Sequence, residues 1–191
     1  MILEGLITTV DDDGRPHLSA IGPEVDAAIT RIELRPFQSS QTYQNLQRTH
    51  QAVFHVTDDV ESIADAVCGK RLPDDLFERA TNVDGFVLTT ACRAFEVEVS
   101  YHNDDNPRAT LPCRILHVHI LREFFGFNRA KHAVVEAAIL ATRTALIPQA
   151  EIEAQWKCLC TLVEKTGGDP ERRAFAQLTA SVEKAFHTSA T

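Results

Sequence analysis

The chain lacks most of the features by which functional classes declare themselves. None of its apolar runs approaches the roughly 20 residues that a membrane-spanning helix needs. It has no Gly-x-Gly-x-x-Gly and no Gly-x-x-x-x-Gly-Lys, so neither a Rossmann nucleotide site nor a P-loop is available. Without a Gly-x-Ser-x-Gly elbow, a serine hydrolase has no support. Basic runs are absent too. With 19 basic and 27 acidic residues the net charge is −8, which argues against a nucleic-acid backbone as partner. The opening Met-Ile-Leu-Glu-Gly-Leu-Ile has no basic n-region and an early glutamate, so it does not read as a secretory signal. A cytoplasmic protein with no membrane contact is expected.

The five cysteines, Cys68, Cys92, Cys113, Cys158 and Cys160, are odd in number and irregular in spacing. That excludes a disulfide framework and suits a reducing compartment. Cys158 and Cys160 lie two apart in a helical pattern and do not face each other. They read as small apolar core fillers.

What remains is an ordinary globular composition, 44% hydrophobic and 24% charged, in a chain of 191 residues. That is long enough to bury a core. Residues 2–22 read as a hairpin, with strands at Ile2–Val10 and His17–Gly22 around the turn Asp11–Gly14. Strands are also predicted at Ile29–Leu34, Ala52–Thr57, Phe86–Thr90, Ala94–Tyr101 and Ala109–Leu121, with a loop at Asn103–Pro107. Short helices are predicted at Gln41–Thr49, from a capping box Asp58–Glu61 to about Val67, and as a turn at Asp74–Arg79. After Phe127 the pattern becomes helical. Asn128 caps a helix running to Ala145, Pro148 starts the next, and Asp169-Pro170 starts a third. Strands followed by helices indicate an α+β fold, and the short strands suggest a barrel or a sandwich.

The densest chemistry lies in Leu34-Arg-Pro-Phe-Gln-Ser-Ser-Gln-Thr-Tyr-Gln-Asn-Leu46. Arg35 offers a fork of donors, Ser39, Ser40 and Thr42 offer hydroxyls, and Asn45 offers an amide. The first turn of the following helix offers free N–H groups and a positive dipole end. Such a set suits the phosphate of a nucleotide or cofactor, although hydroxyls precede helices generally and the same residues also read as a plain helix cap. Arg129, Lys131 and His132 put positive charge at a helix N-terminus, where the dipole disfavours it, which suits an anionic ligand or an acidic partner surface nearby and equally reads as a solvated basic turn. His117 and His119 share a strand face with Cys113 four residues back, a weak pattern for a metal on which no metal site is predicted. His55, in an apolar strand, reads as packed or hydrogen-bonded. No side chain stands out as a catalytic acid or base.

Several stretches carry a family likeness: Met1–Gly5, His17–Pro23, Leu34–Leu46, Val53–Asp59 and Phe127–Arg143. Together they resemble an uncharacterised family of the FMN-binding split-barrel superfamily, alongside flavin reductases and pyridoxamine phosphate oxidases. The resemblance implies a six-stranded split β-barrel over residues 1–127. A three-helix extension over 128–191 would pack on the barrel or on a partner subunit. It implies a homodimer with FMN in a groove between subunits. The FMN phosphate would lie at Arg35, Ser39, Ser40, Thr42 and Asn45, with Arg129 or Lys131 adding charge because position 38 is Gln. Ala20 and Gly22 would lie beside the isoalloxazine. The implied activity is that of a flavin reductase-like oxidoreductase with an association to one-carbon metabolism. The alternative is a non-catalytic carrier of FMN or of another phosphorylated ligand.

Overall fold

The computed structural model describes residues 1–100 and 107–189. All but the last residue of the loop predicted at Asn103–Pro107 lies outside them. The chain divides into two compact units, Met1–Thr57 with Pro73–Phe124, and Asp58–Leu72 with Phe125 onward.

The first unit is built on an antiparallel sheet. Its strands are β1 (Gly5–Val10), β2 (Pro16–Ile21), β3 (Glu24–Val25), β4 (Ile32–Leu34), β5 (Gln51–Val56), β8 (Arg93–Val99) and β9 (Leu111–Ile120), in the order β2-β1-β5-β8-β9-β4-β3. A separate hairpin pairs β6 (Phe77–Arg79) with β7 (Phe86–Leu88). The sheet curls into a half-barrel because its far edge returns to the chain start. The Met1 ammonium donates to the Val25 carbonyl at 2.9 Å, Leu3 N–H donates to Pro23 O, and Ile2 bridges Glu24. Inside the curl lie Ile7, Ile32, Leu34, Phe54, Phe95, Val97 and Leu111, closed off by Tyr43 and Leu46 of helix α1 (Gln41–Thr49). Complete burial of a side chain such as Leu46 contributes about 1.5–3 kcal/mol.

Several boundaries differ from expectation. Residues 1–4 leave the predicted first strand to pair with β3, and β1 begins only at Gly5. A Cβ at Gly5 would meet the His55 carbonyl oxygen at 2.4 Å, so only glycine lets β1 enter beside β5 there. The strand predicted from Ile29 begins at Ile32, because the Asp26 carboxylate gathers the N–H groups of Thr30 and Arg31 and the Thr30 hydroxyl into a tight turn. Of the helical turn predicted at Asp74–Arg79, only Asp74–Leu76 is a 3₁₀ turn, and the rest is β6.

In the second unit, helix α2 (Val60–Val67) joins three C-terminal helices, α3 (Arg129–Ala141), α4 (Gln149–Thr166) and α5 (Asp169–Ser189). The cap of α2 is Asp59, which accepts from the N–H groups of Glu61 and Ser62. It is not the predicted Asp58, whose carboxylate turns instead to accept the Phe125 N–H at 2.6 Å. Arg173 of α5 grips Glu61 with two hydrogen bonds, and Gln177 bonds Asp65. Helix α3 stops four residues early, at Ala141 rather than Ala145, and turns follow as far as Pro148. Cys158 is exposed and Cys160 half-buried, so this pair does not fill a core. No helix among the described residues is long and apolar enough to cross a membrane.

Candidate functional site

Helix α1 forms where the sequence pattern puts it. Ser40 takes an extended conformation ahead of it, accepts the Tyr43 N–H at 3.2 Å and donates its own proton to the Phe37 carbonyl at 2.7 Å. His50 ends the helix in the left-handed region, its N–H on the Leu46 carbonyl. Ser39 stands exposed just before the cap. The first-turn N–H groups of Gln41 and Thr42 have no carbonyl four residues back within the helix, so this end presents donors and the positive pole of the helix dipole.

Around that turn the structure gathers some of the predicted residues and redirects others. Arg35, one residue past β4, directs Nη1 onto Glu24 Oε1 of β3 at 2.5 Å, with both side chains close to half-exposed. Arg108, which the sequence did not single out, donates to the Arg35 carbonyl at 3.1 Å and stacks its guanidinium 3.8 Å from the Phe37 ring centroid. That is a second cation beside the entry to α1. Thr42 is buried and donates to Ser19 Oγ of β2 at 2.9 Å, and Ser19 in turn lies 3.0 Å from His17 Nε2. Burial lowers the His17 pKa, opposed by the Asp11 carboxylate. Asn45 is fully engaged inside the fold. Its amide donates to Thr9 Oγ1 and its carbonyl accepts from Gln41.

The Thr42–Ser19 contact brings the start of α1 against β2, and the predicted Ala20 is next to Ser19 on that strand. β2 is the terminal strand of the sheet, so one row of its N–H and C=O groups faces no strand among the described residues. Ala20 is exposed. Gly22 lies against the Ile2 methyl and the Glu4 carboxylate, both on exposed side chains: a Cβ there would stand 2.7 Å and 2.9 Å from them. Arg129 and Lys131 belong to the second unit. Arg129 is exposed in the first turn of α3. Lys131 is paired with the buried Glu171 at 2.9 Å and donates to the Asp58 carbonyl at 2.9 Å.

A second polar centre, invisible to period-2 reasoning, lies on the outer face of the sheet. Glu96 alternates with Phe95 and Val97, which predicts a solvated side chain, yet it is completely buried. Its carboxylate accepts the N–H groups of Thr81, Asn82 and Val83 and lies 2.6 Å from His119 Nε2. Burial opposes its ionisation. Those N–H groups and His119 outweigh burial and hold its pKa below the ordinary value. Nearby, His55 Nε2 accepts the Leu88 N–H at 2.9 Å, while its buried Nδ1 faces the Leu6 backbone across the β1–β5 pair. Burial drives the His55 pKa down to about 3. Together these two residues hold the β6–β7 hairpin over Val53 and Ala94.

The shared face predicted for Cys113, His117 and His119 does not exist. A bulge between β8 and β9 at Glu96/Val97 adds one residue on β9 and inverts the alternation. Cys113 therefore packs with the inner core, while His119 faces Glu96 outside. Burial pushes the Cys113 thiol up to about 12. No group of three potential metal ligands occurs among the described residues.

The profile of the N-terminal domain of a protein family of unknown function, DUF447, matches residues 3–122, and the family's second profile matches residues 128–180. An FMN-bound protein of the same family from Methanosarcina mazei superposes with a TM-score of 0.83 at 22% identity, covering 94% of both chains. The flavin reductase of styrene monooxygenase from Pseudomonas putida S12 superposes with a TM-score of 0.51 at 13% identity, over 63% of this chain and 82% of that one. Flavoredoxin of Desulfovibrio vulgaris (Miyazaki F) does so with a TM-score of 0.51 at 14% identity, over 62% and 69%. At these identities the likeness is one of fold, the split barrel. No curated protein sequence matches the chain.

Proposed function

The chain belongs to the DUF447 family, and from that premise we propose that it is an FMN-binding flavoprotein, a flavin reductase-like oxidoreductase working as a homodimer in the cytoplasm. One observation carries the reading. The Ser40-capped start of α1, with Ser39 and Arg35 beside it, meets the open edge of β2 through Thr42 and Ser19. The FMN-bound relative from Methanosarcina mazei has the same fold over nearly its whole length.

The donor set fits the cofactor. First-turn N–H groups, the Ser39 hydroxyl and the Arg35 guanidinium suit a phosphate dianion, and Arg108 adds positive charge next to them. The N–H and C=O row of the β2 edge, at Ala20 and Gly22, suits the polar rim of a flat ring. When bound, FMN supplies the hydride and electron chemistry. The chain's own residues bind it, orient it and set the charge around it. The dimer is supported by Val118, Ile120, Leu121 and Phe124, which leave a run of apolar side chains exposed at the end of β9 and just beyond it.

Purification tests the reading directly. The protein is expected to be yellow, to release FMN on denaturation and to be bleached by NADH or NADPH. Bound flavin that neither nicotinamide reduces would leave a carrier in place of a reductase. Protein that neither retains nor rebinds FMN would overturn the proposal.

A further inference from the structure

His17 and Ser19 lie where β2 touches the first turn of α1. The Thr42 hydroxyl donates to Ser19 Oγ, so Ser19 is the acceptor in that bond and keeps its own proton to give away. His17 Nε2 is 3.0 Å from the same oxygen. Two arrangements follow. With a lone pair on Nε2, the imidazole takes the Ser19 proton and the chain of bonds is closed on itself. With a proton on Nε2, in the neutral Nε2–H tautomer or in the imidazolium, the ring donates to Ser19 Oγ. Both lone pairs of that oxygen are then occupied, and the Ser19 O–H must turn away from His17 and Thr42.

We propose that Ser19 is a phosphate-positioning residue whose hydroxyl is aimed by His17 and Thr42, and that phosphate binding at the start of α1 draws a proton from solvent onto His17. The inference rests on the FMN reading given above. His17 is half-buried, and the charged groups of the elements around it are few. Asp11 faces it from the β1–β2 turn, and Asp12 of that turn is paired with Arg48 of α1. Burial, opposed by Asp11, keeps the free imidazole below its ordinary pKa, which favours the neutral ring in the flavin-free protein near neutral pH. A phosphate dianion against the first turn favours the imidazolium and accepts the released Ser19 O–H. The coupling belongs to the phosphate and not to the ring.

Calorimetric titration of the flavin-free, full-length protein tests this near pH 7, in buffers of different ionisation enthalpy, with FMN and with riboflavin as probes. The wild type should take up a substantial fraction of a proton per FMN bound and none with riboflavin. His17→Gln should bind FMN without that uptake. Ser19→Ala should lose both the uptake and about tenfold in FMN affinity, the equivalent of one charged hydrogen bond, with riboflavin affinity nearly unchanged. Unfolding midpoints check that the variants are folded, and either variant decides the matter alone. Equal proton uptake by wild type and variant, with FMN bound by both, overturns this inference and leaves the cofactor reading standing. A wild type that binds riboflavin as tightly as FMN places no phosphate at this turn and overturns the inference as well. Absence of any flavin binding overturns both.

Discussion

Arg35 reaches Glu24 across neighbouring strands, Nη1 to Oε1 at 2.5 Å, at the mouth of the turn that leads into α1. Both side chains are close to half-exposed, so the pair contributes no more than about 1 kcal/mol. A phosphate dianion offers the same guanidinium a stronger partner. Arg35→Ala should weaken FMN binding by about 1.5–3 kcal/mol, the range of a charged hydrogen bond. Glu24→Gln should tighten it a few-fold by removing the competing carboxylate. Quenching of FMN fluorescence on titration measures both, and an Arg35→Ala protein with wild-type affinity would move the phosphate elsewhere.

Glu96 is the acceptor on which the tip of the β6–β7 hairpin rests. Glutamine keeps the shape but offers one acceptor oxygen in place of two, and its amide group would face N–H donors. Glu96→Gln should lower stability by at least about 1.5–3 kcal/mol in urea denaturation. It should also speed amide exchange at Thr81–Val83. A wild-type urea midpoint would show that the hairpin is held by its apolar contacts alone.

Acid should destabilise the first unit in two stages. The unfolded chain protonates His55 near its ordinary 6.5, whereas the folded protein resists until about 3. Between those values the unfolded state binds the extra proton, so stability falls as pH drops, by up to about 1.4 kcal/mol per pH unit for this one group. The Glu96 contribution has the other form. Its folded pKa lies below the ordinary 4.5, so the contribution is complete above that value and is lost as pH falls beneath it. Urea midpoints measured from pH 7.5 down to 5 should fall less steeply in His55→Gln than in the wild type, since the glutamine carbonyl can still accept the Leu88 N–H without titrating. Parallel slopes would contradict the assignment.

Ile120 is one of the most exposed large apolar side chains, 83% accessible at the end of β9. If the homodimer uses this edge, Ile120→Asp should shift the protein to monomer in size-exclusion chromatography with light scattering, without lowering the monomer's own stability. A wild type that is itself monomeric removes the dimer from the proposal.

Local signals along the chain were faithful at α1, at the cap of α3 and along β8. Ser40, followed by Tyr43 and Leu46 at helical spacing, produces α1 over the predicted span, and Asn128 caps α3 through two N–H groups. The alternation of Phe95, Val97 and Val99 puts one face of β8 in the core as expected. The hydroxyls, the arginine and the helix start of the candidate site were therefore legible, because side-chain type and spacing define a cap and a donor set.

Groups that are satisfied at long range were not legible. Nothing near Asn45 announces Thr9, and nothing near Lys131 announces Glu171, yet those partners engage two residues that spacing alone offers to a ligand. One bulged residue on β9 parts Cys113 from the histidines, since a period of two inverts with any insertion. Glu96 and His55 look like a solvated acid and a packed histidine until a hairpin more than twenty residues away from His55 lays its N–H groups over them.

By itself, then, the sequence determined most of the segments that become strands and helices and the donor types that lead into α1, because those depend on neighbours within one turn or one pleat. Only the tertiary structure decided which polar groups are already satisfied and which remain to be offered. Hydrogen-bond partners and burial depend on chain segments that fold together from far apart, and that is what put Ser19 and His17 beside Thr42.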